Sequence, residues 1–292
     1  MSHKSGFVNI LGNPNVGKST IMNALVGEKL SIITPKVQTT RHRIMGIVNG
    51  EDFQIVYSDT PGILKPKYKL QETMLGFVNV ALTDADIILY VTDVQESSDK
   101  TGNYIEKIKD SGVPVIIAVN KIDLTNQSDL EAIVGSWHKM FPGSDIIPLS
   151  ALRRFNIDML LRSILEKLPE GEAFFPKDQL TDRYERFFAS EIIREKILLN
   201  YQKEIPYSVE IEIENFTEEK NINSIRAIIH VTRESQKGII IGHKGQMLKK
   251  VGTEARLDME DFFGRKIFLE LYVKVSKDWR DKPLMLRRFG YR

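Results

Sequence analysis

The segment 12–19, Gly-Asn-Pro-Asn-Val-Gly-Lys-Ser, matches the phosphate-binding pattern G-x-x-x-x-G-K-[ST], and its setting restricts the fold more than any other feature of the chain. The apolar run 7–11 before it predicts a strand, and residues 20–26 after it predict a helix. Backbone N–H groups at the start of such a helix favour the oxygens of a triphosphate. A turn that merely contains glycines is the alternative, and the flanking strand and helix argue against it.

Residues of this loop have distinct expected roles. Lys18 would reach the β- and γ-phosphates as a point charge and assist catalysis, and the hydroxyl of Ser19 would ligate the Mg²⁺ that bridges them. The nucleotide-binding residues predicted here are Gly12, Asn13, Pro14, Asn15, Val16, Gly17, Lys18, Ser19 and Thr20.

Up to about residue 168, short apolar runs alternate with amphipathic helical stretches, which predicts an α/β domain with a mostly parallel sheet. Asn49-Gly50 between the runs 44–48 and 53–58 is a strong hairpin signal, so one edge strand is expected to be antiparallel. The other predicted strands are 86–91, 113–119 and 145–149.

The second half has a different order of elements. Residues 169–182 contain two prolines and a glycine and predict a linker. This gives a nucleotide-binding domain at 1–168 and a second domain at 183–292. The second domain is predicted to have the order α-β-β-α-α-β, with helices at 183–200, 239–252 and 253–263 and strands at 208–215, 224–232 and 266–275. Glu210, Glu212 and Glu214 alternate with apolar residues, so they are expected to line the solvent face of their strand without acid–base chemistry.

Charge is distributed unevenly along the chain. Residues 1–182 carry 19 Lys+Arg against 22 Asp+Glu, whereas residues 183–292 carry 22 against 17. A basic C-terminal region predicts a polyanionic partner, either nucleic acid or an anionic membrane surface, with a solvated charged surface as the alternative. The absence of cysteine excludes disulfides and thiolate metal sites and suits a reducing cytosol. No secretory signal is recognised, and no apolar run approaches the length of a membrane span.

Two short motifs follow predicted strands: Asn120-Lys121-Ile122-Asp123 and Ser150-Ala151. Strand C-termini form the ligand-binding edge of open α/β sheets. At these spacings the first 168 residues resemble the translation-factor-related class of small GTPases. The carboxylate of Asp123 can accept from guanine N1–H and the 2-amino group, a donor pair that adenine lacks on that edge.

Other residues of these motifs complete the expected guanine pocket. Lys121 can lay its stem over the base, Asn120 can tie its loop to the phosphate loop, and the Ala151 N–H can meet guanine O6. The predicted base-contacting residues are Asn120, Lys121, Asp123, Ser150, Ala151 and Leu152.

The segment Asp59, Thr60, Pro61 and Gly62 supplies a third nucleotide contact. Asp59 would hold Mg²⁺ through a water, and the Gly62 N–H would meet the γ-phosphate and assist catalysis. By the same resemblance, one threonine of the pair 39–40 is a further ligand of Mg²⁺ in the GTP state and assists catalysis. Thr40 is the preferred candidate. The predicted metal ligands are thus Ser19, Thr40 and Asp59, in segments that sense the γ-phosphate as switches.

Two residues predict how hydrolysis is controlled. Ras-like enzymes place a glutamine directly after the glycine of this motif to orient the attacking water, but the position is Ile63 here. Intrinsic hydrolysis is therefore expected to be slow. Asn15 matches an asparagine with which related GTPases help to bind K⁺, so stimulation by K⁺ is expected.

In the second half, Gly242-His243-Lys244-Gly245 joins an apolar segment to a basic helix, and residues 237–250 contain four lysines and no acid. A G-x-x-G loop alone is weak and fits an ordinary helix–turn–helix junction. Together with the order of elements it resembles the type II KH fold, an α+β arrangement that binds about four unpaired nucleotides. The predicted RNA-binding residues are Gly242, His243, Lys244, Gly245, Lys249 and Lys250.

A GTPase of this class followed by a type II KH domain resembles the Era-like subfamily across essentially the whole chain. The resemblance implies GTP/GDP and Mg²⁺ as cofactors and binding to the 3′ end of 16S ribosomal RNA during assembly of the small ribosomal subunit. It also implies a cytoplasmic protein with peripheral association with the inner membrane, and a monomer is expected.

Two other functions are alternatives. An RNA-modifying enzyme driven by GTP hydrolysis would need a nucleophile or cofactor site in the C-terminal half, and none is evident there. A membrane-surface regulatory GTPase with cell-cycle coupling would use the basic residues 280–292 on lipid, although these suit RNA equally well.

Overall fold

The computed structural model describes residues 3–96, 102–220 and 222–291. The chain forms two compact units. The first contains the residues up to Pro66 and those from Met74 to Asp182. The second contains residues 67–73 together with the residues from Arg183 onward. Within the described ranges, no helix is both long and apolar enough to cross a membrane.

The first unit is built on a six-stranded sheet with the order β2-β3-β1-β4-β5-β6. Its strands are β1 (Lys4–Leu11), β2 (Ile44–Asn49), β3 (Phe53–Asp59), β4 (Ile87–Asp93), β5 (Val115–Asn120) and β6 (Asp145–Pro148). Edge strand β2 is antiparallel to β3, and all other pairings are parallel. Every residue of β4 and β5 is buried, as expected for parallel strands covered on both faces. The predicted α/β fold with one antiparallel edge strand is confirmed.

Four helices lie between these strands in the chain, namely α1 (Lys18–Val26), α2 (Lys69–Thr83), α3 (Gly102–Lys109) and α4 (Gln127–Met140), and α5 (Ile157–Lys167) follows β6. Helix α1 ends where Gly27 adopts a φ of 87° and donates its N–H to the Asn23 carbonyl. Helix α4 begins at Asn126, whose side chain accepts from the Asp129 N–H. An apolar core that includes Tyr90 and Trp137, with ring centroids 5.5 Å apart, lies between sheet and helices.

The segment 169–182 runs against the β2 and β3 side of the first unit. The backbone N–H of Ile47 donates to the Leu180 carbonyl at 2.8 Å, and the side chain of Thr181 donates to the Met45 carbonyl at 2.7 Å. The buried Gln54 side chain accepts from the Phe174 N–H at 2.7 Å. These bonds hold the segment on the first unit up to Asp182.

The second unit contains a three-stranded sheet with the order β7-β8-β9, in which β7 is antiparallel and β9 parallel to β8. Its elements are α6 (Glu185–Asn200), α7 (Ile205–Ser208), β7 (Glu210–Glu218), β8 (Ile222–Val231), α8 (Glu234–Ile241), α9 (Gln246–Phe263), β9 (Lys266–Val275) and α10 (Pro283–Arg288). Apart from the short α7 and α10, this is the predicted α-β-β-α-α-β order. Helices α6 and α9 bury their apolar faces on one side of the sheet.

Two sequence predictions for this unit are wrong. The break between the last two long helices lies at 242–245 and not at 252–253, because Gly242 and Gly245 have φ of 71° and 78° and end the helical backbone. Glu210 is buried, and the hydroxyl of Tyr291 donates to it at 2.7 Å. Glu212 is also largely covered and accepts from Arg288 at 2.8 Å, so of the three glutamates only Glu214 is exposed.

Residues after β9 explain the covered glutamates, because they fold back over the outer face of the sheet. Trp279 is completely buried and donates from Nε1 to the Ser208 carbonyl at 2.9 Å. His230 on β8 lies between Glu212, at 2.9 Å from Nε2, and Ser276, at 2.8 Å from Nδ1. Burial lowers the pKa of His230, although the Glu212 carboxylate acts in the opposite direction. The basic C-terminal segment is thus part of the folded unit.

Candidate functional site

The phosphate-binding loop connects β1 to α1 and borders a cavity of about 460 Å³. Gly17 precedes α1 with a φ of 99°, a backbone region that disfavours other residues. The cavity is lined by Pro14, Asn15, Gly17, Lys18, Ser19, Thr20, Ile32, Ile33, Thr34, Pro35, Gln38, Thr39, Thr40, Gly62, Gln95 and Lys121. Residues from the loop and from both predicted switch segments therefore surround one space of nucleotide size.

Lys18 is buried at the base of this space. Its Nζ donates to the carbonyls of Gly12, at 3.0 Å, and Asn13, at 2.8 Å. Burial lowers the pKa of Lys18 to about 8, although Asp59 and Glu96 raise it. A cation in this position, already held by the loop, can turn to the oxygens of a phosphate chain that enters the cavity.

Three oxygen-bearing side chains converge beside Lys18. The Ser19 hydroxyl donates to Asp59 Oδ2 at 2.6 Å, and the Thr40 hydroxyl lies 2.8 Å from Ser19 Oγ and 3.2 Å from the same carboxylate oxygen. By contrast, the Thr39 hydroxyl donates to the Lys36 carbonyl. The buried Asp59 Oδ1 has no hydrogen-bond partner in the described part of the chain. One carboxylate with two hydroxyls is a hard oxygen set that fits Mg²⁺, which keeps several of its waters.

Burial raises the pKa of Asp59, and the nearby Ser19 and Lys18 oppose the shift. A fully buried carboxylate with one unsatisfied oxygen is costly unless it meets a cation. The electrostatics of Asp59 therefore also favour a bound divalent ion.

Gly62 and Ile63 follow β3 at the edge of the phosphate loop. A Cβ on Gly62 would lie 2.7 Å from the backbone of Pro14, so only glycine allows this approach. The Ile63 N–H donates to the Gly12 carbonyl at 3.1 Å, and the Ile63 side chain is buried in the core. Ile63 therefore has neither the chemistry nor the position to orient a water in the cavity. Thr60 is buried and donates to the Ile10 carbonyl at 2.7 Å, and Pro61 is buried beside it.

The two predicted base-recognition loops meet through hydrogen bonds. Asn120 Nδ2 donates to the Val16 carbonyl at 2.8 Å, and Asn120 Oδ1 accepts from the Ala151 N–H at 3.0 Å. The Ser150 hydroxyl donates to Asp123 Oδ1 at 2.6 Å. The phosphate loop and both base loops thus form one connected structure. Leu152, also predicted to contact the base, is 76% exposed.

Sequence reasoning missed two acidic residues that support this site. Asp93 accepts from Lys121 Nζ at 2.5 Å, and Lys121 also donates to the Asn15 carbonyl at 2.6 Å. Glu96 accepts from the side chains of Asn13 and Thr92. The position of Asp93 at the C-terminal end of a buried strand was the available signal for its role.

In the second unit, the loop 242–245 connects α8 to α9 with both glycines and Lys244 at positive φ. His243, Lys244, Lys249 and Lys250 are exposed, and Lys250 lies 3.8 Å from Glu254. The loop thus presents a basic surface at the start of α9.

An adjoining cavity of about 370 Å³ lies between α9 and β9. It is lined by Gly245, Leu248, Lys249, Gly252, Thr253, Arg256, Leu269 and Leu271. A Cβ on Gly252 would lie 3.3 Å from Leu271 Cδ1, so this glycine allows the helix to approach the strand. Most of these residues were not predicted from the sequence, although a glycine inside a helical pattern was a signal for close packing. An apolar groove beside a basic loop suits unstacked bases with their phosphates.

Comparison with known proteins identifies both units. Residues 7–121 match the family model described as 50S ribosome-binding GTPase, and residues 204–280 match the KH domain model. The GTPase Era of Syntrophus aciditrophicus (strain SB) is 49% identical over 99% of this chain and 95% of its own length. The GTPase Era of Thermoanaerobacter sp. (strain X514) is 43% identical over 100% and 97%.

Solved structures agree with these relatives. A crystal structure of Era in complex with MgGDPNP and nucleotides 1506–1542 of 16S ribosomal RNA has a TM-score of 0.95 at 42% identity, with 99% of both chains covered. A variant of Aquifex aeolicus Era bound to GDP and AlF4⁻ gives the same values.

Proposed function

The chain belongs to the Era family of GTPases, and from this membership we propose that it is a switch that hydrolyses GTP and binds the 3′ region of 16S ribosomal RNA. In this role it assists assembly of the small (30S) ribosomal subunit. The observation that carries the proposal is the full-length similarity to Era bound to MgGDPNP and nucleotides 1506–1542 of 16S ribosomal RNA. The proposal is supported by the nucleotide cavity, which Lys18, Ser19 and Thr40 line, and by the exposed loop 242–245.

For GTP hydrolysis, the described residues supply position and charge. Lys18 provides a buried cation for the β- and γ-phosphates, and the Gly62 backbone packs against Pro14 of the phosphate loop, where its N–H would meet the γ-phosphate. Ser19, Thr40 and Asp59 would hold Mg²⁺, which would supply positive charge to the phosphate oxygens. Asp123, oriented by Ser150, selects guanine.

The expected rate of hydrolysis depends on Ile63, which has no hydrogen-bonding group to orient the attacking water. Because this side chain is buried in the core, the attacking water depends on the switch backbone or on a partner, and intrinsic turnover is slow. We also propose that K⁺ stimulates the reaction through Asn15, which already links the phosphate loop to the Pro35 carbonyl at 3.0 Å. Equal hydrolysis rates in Na⁺ and K⁺ would contradict this role.

RNA binding is assigned to the loop 242–245 with Lys249 and Lys250, and to the groove beside them. The test replaces His243 and Lys244 together by Asp in the full chain. Affinity for an oligonucleotide from the 3′ end of 16S ribosomal RNA should fall at least tenfold, because two phosphate-facing donors become acids. GTP hydrolysis without RNA should stay within twofold of the unsubstituted chain. Unchanged RNA affinity would show that this loop is not the RNA site.

The finer assignments rest on the resemblance. We place the GTP-binding domain at 1–168, a linker at 169–182 and the RNA-binding domain at 183–292. We propose that the protein acts as a monomer in the cytoplasm and associates peripherally with the cytoplasmic face of the inner membrane. Flotation with anionic liposomes in the presence of excess RNA tests the membrane association.

A further inference from the structure

A short loop of the first unit is exposed and is not part of the lining of the nucleotide cavity. It consists of residues 152–155, Leu-Arg-Arg-Phe, between the base loop and α5, and is called the LRRF loop here. We propose that the LRRF loop is a second RNA contact, separate from the KH loop. This inference rests on the proposed function, because it adds a surface on the GTP-binding unit to the same RNA partner.

Hydrogen bonds fix the backbone of the LRRF loop. Ser150 and Phe155 exchange two backbone bonds of 3.0 and 3.2 Å, and the Arg153 N–H donates to Ser150 Oγ at 3.3 Å. Arg154 and Asn156 adopt φ of 55° and 59°. A closed turn with Arg154 in the left-handed region, followed directly by Asn156 in the same region, is a defined shape, so its side chains are presented without the cost of ordering a mobile loop.

The side chains that the loop presents are basic and apolar together. Leu152 is 76% exposed and Phe155 is 55% exposed, while Arg153 and Arg154 between them are also exposed. Neither guanidinium has an ion-pair partner within the described ranges. From 150 to 165 the chain contains three arginines and one acid, Asp158.

This combination favours RNA over other partners. Arginine donates in a planar fork that matches phosphate oxygens, and an exposed phenylalanine offers a face on which a base can stack. If the loop had the exposed apolar side chains without Arg153 and Arg154, it would suit a protein partner. If it had the two arginines without the ring of Phe155, it would suit any polyanion. The two arginines flanked by exposed apolar side chains match a splayed nucleotide with its phosphates.

The experiment measures RNA affinity of the full chain as a function of salt, with GDPNP bound. Two binding partners are compared: a short single strand from the 3′ end of 16S ribosomal RNA, sufficient for the KH site, and the intact small ribosomal subunit, which contains both RNA and protein. For the subunit, Arg153→Ala/Arg154→Ala should reduce the slope of log affinity against log salt by about 1.4 to 1.8, the loss of two phosphate contacts. The short strand should be bound as before.

The phenylalanine is tested separately. Phe155→Ala should weaken subunit binding by about fivefold or more, and Phe155→Trp should preserve it, because tryptophan retains a stacking face. The matched control is Lys107→Ala/Lys139→Ala, which removes two exposed positive charges from α3 and α4. This control should leave the slope for the subunit unchanged, and all variants should retain guanine-nucleotide affinity.

The outcomes separate this inference from the proposed function. If the unsubstituted chain binds neither partner, the proposed function fails, and this inference fails with it. The unsubstituted chain could bind both partners while the arginine variant binds the subunit with the same slope of log affinity against log salt. In that case only the LRRF inference is overturned. An equal loss of slope in the lysine control would also overturn it.

Discussion

The side-chain amide of Asn120 fills the space that a Cβ on Gly17 would need, since such a Cβ would lie 2.1 Å from Nδ2. The same amide donates to the Val16 carbonyl and accepts from the Ala151 N–H. Asn120, a residue of the first base loop, therefore fixes the position of the phosphate loop relative to the second base loop. The loops predicted to bind phosphate and guanine are therefore structurally coupled at this contact.

Gly17→Ala is expected to weaken binding of GDP and GTP by at least about tenfold. The added methyl group would displace Asn120 and disrupt its two hydrogen bonds, in addition to straining a φ of 99°. Equilibrium titration with a fluorescent guanine nucleotide measures the effect. Gly27→Ala is the matched control, because Gly27 also has a positive φ, 87°, but a Cβ there meets nothing within 4 Å. Equal losses in both variants would assign the effect to backbone strain and not to Asn120.

Asp123→Asn is expected to lower GTP affinity by about 100-fold or more and to raise affinity for xanthosine triphosphate. The carboxylate accepts two guanine donors, whereas an amide presents a donor that xanthine can accept. Competition between the two nucleotides measures the change, with Asp110→Asn as an exposed control. Undiminished GTP affinity would mean that the base pocket lies elsewhere.

Nucleotide affinity is expected to fall as the pH rises through about 8, because burial lowers the pKa of Lys18 to about 8. The phosphates favour charged Lys18, so above this pH binding must first take up a proton. Affinity for GDP should therefore decrease about fivefold between pH 8 and pH 9, while it changes little between pH 6 and pH 7. Calorimetric titration in buffers of different ionisation enthalpy measures both affinity and proton uptake. Lys18→Arg should bind more weakly but without this slope, since arginine stays charged.

Asp59→Asn is expected to raise the stability of the nucleotide-free protein and to weaken the binding of Mg²⁺. Burial raises the pKa of Asp59, so its ionised form is disfavoured in the folded state. This destabilising contribution is absent at a pH below the pKa that Asp59 has in the unfolded chain. It grows as the pH rises through the pKa that Asp59 has in the folded chain. At pH 7 the nucleotide-free variant should therefore unfold at a higher urea concentration than the parent chain. Its GTP hydrolysis should need a higher Mg²⁺ concentration, because an amide replaces the carboxylate beside Ser19 and Thr40. A lower urea midpoint would contradict the pKa argument.

Trp279→Ala is expected to destabilise the second unit by about 3–5 kcal/mol, because a completely buried tryptophan side chain would leave a cavity and expose Ser208. Hydrogen exchange of β7 and β8 amides measures the loss. Phe268→Ala, which removes a ring that is 53% exposed, is the control and should change stability by less than about 1 kcal/mol. Similar exchange rates in both variants would show that the C-terminal segment is dispensable for the sheet.

Local patterns predicted both units well. Strand β9 was predicted at 266–275, where the structure has Lys266–Val275, and Asn49-Gly50 indicated the antiparallel edge strand. These features depend on neighbouring residues, because side-chain periodicity and turn chemistry act within a few positions of the chain. The motif residues were recognisable for the same reason: each directly follows a strand whose apolar run is visible in the sequence.

Contacts between distant segments could not be predicted in this way. The alternation around Glu210 indicated correctly that one face of β7 is apolar, but not that Tyr291 would cover the other face. Likewise, the two glycines of 242–245 were visible, whereas the groove between α9 and β9 exists only after Gly252 meets Leu271. The sequence by itself determined which residues carry charge, turns and apolar faces. Only the tertiary structure decided which of them are buried together, because burial depends on the distant segment that packs against each face.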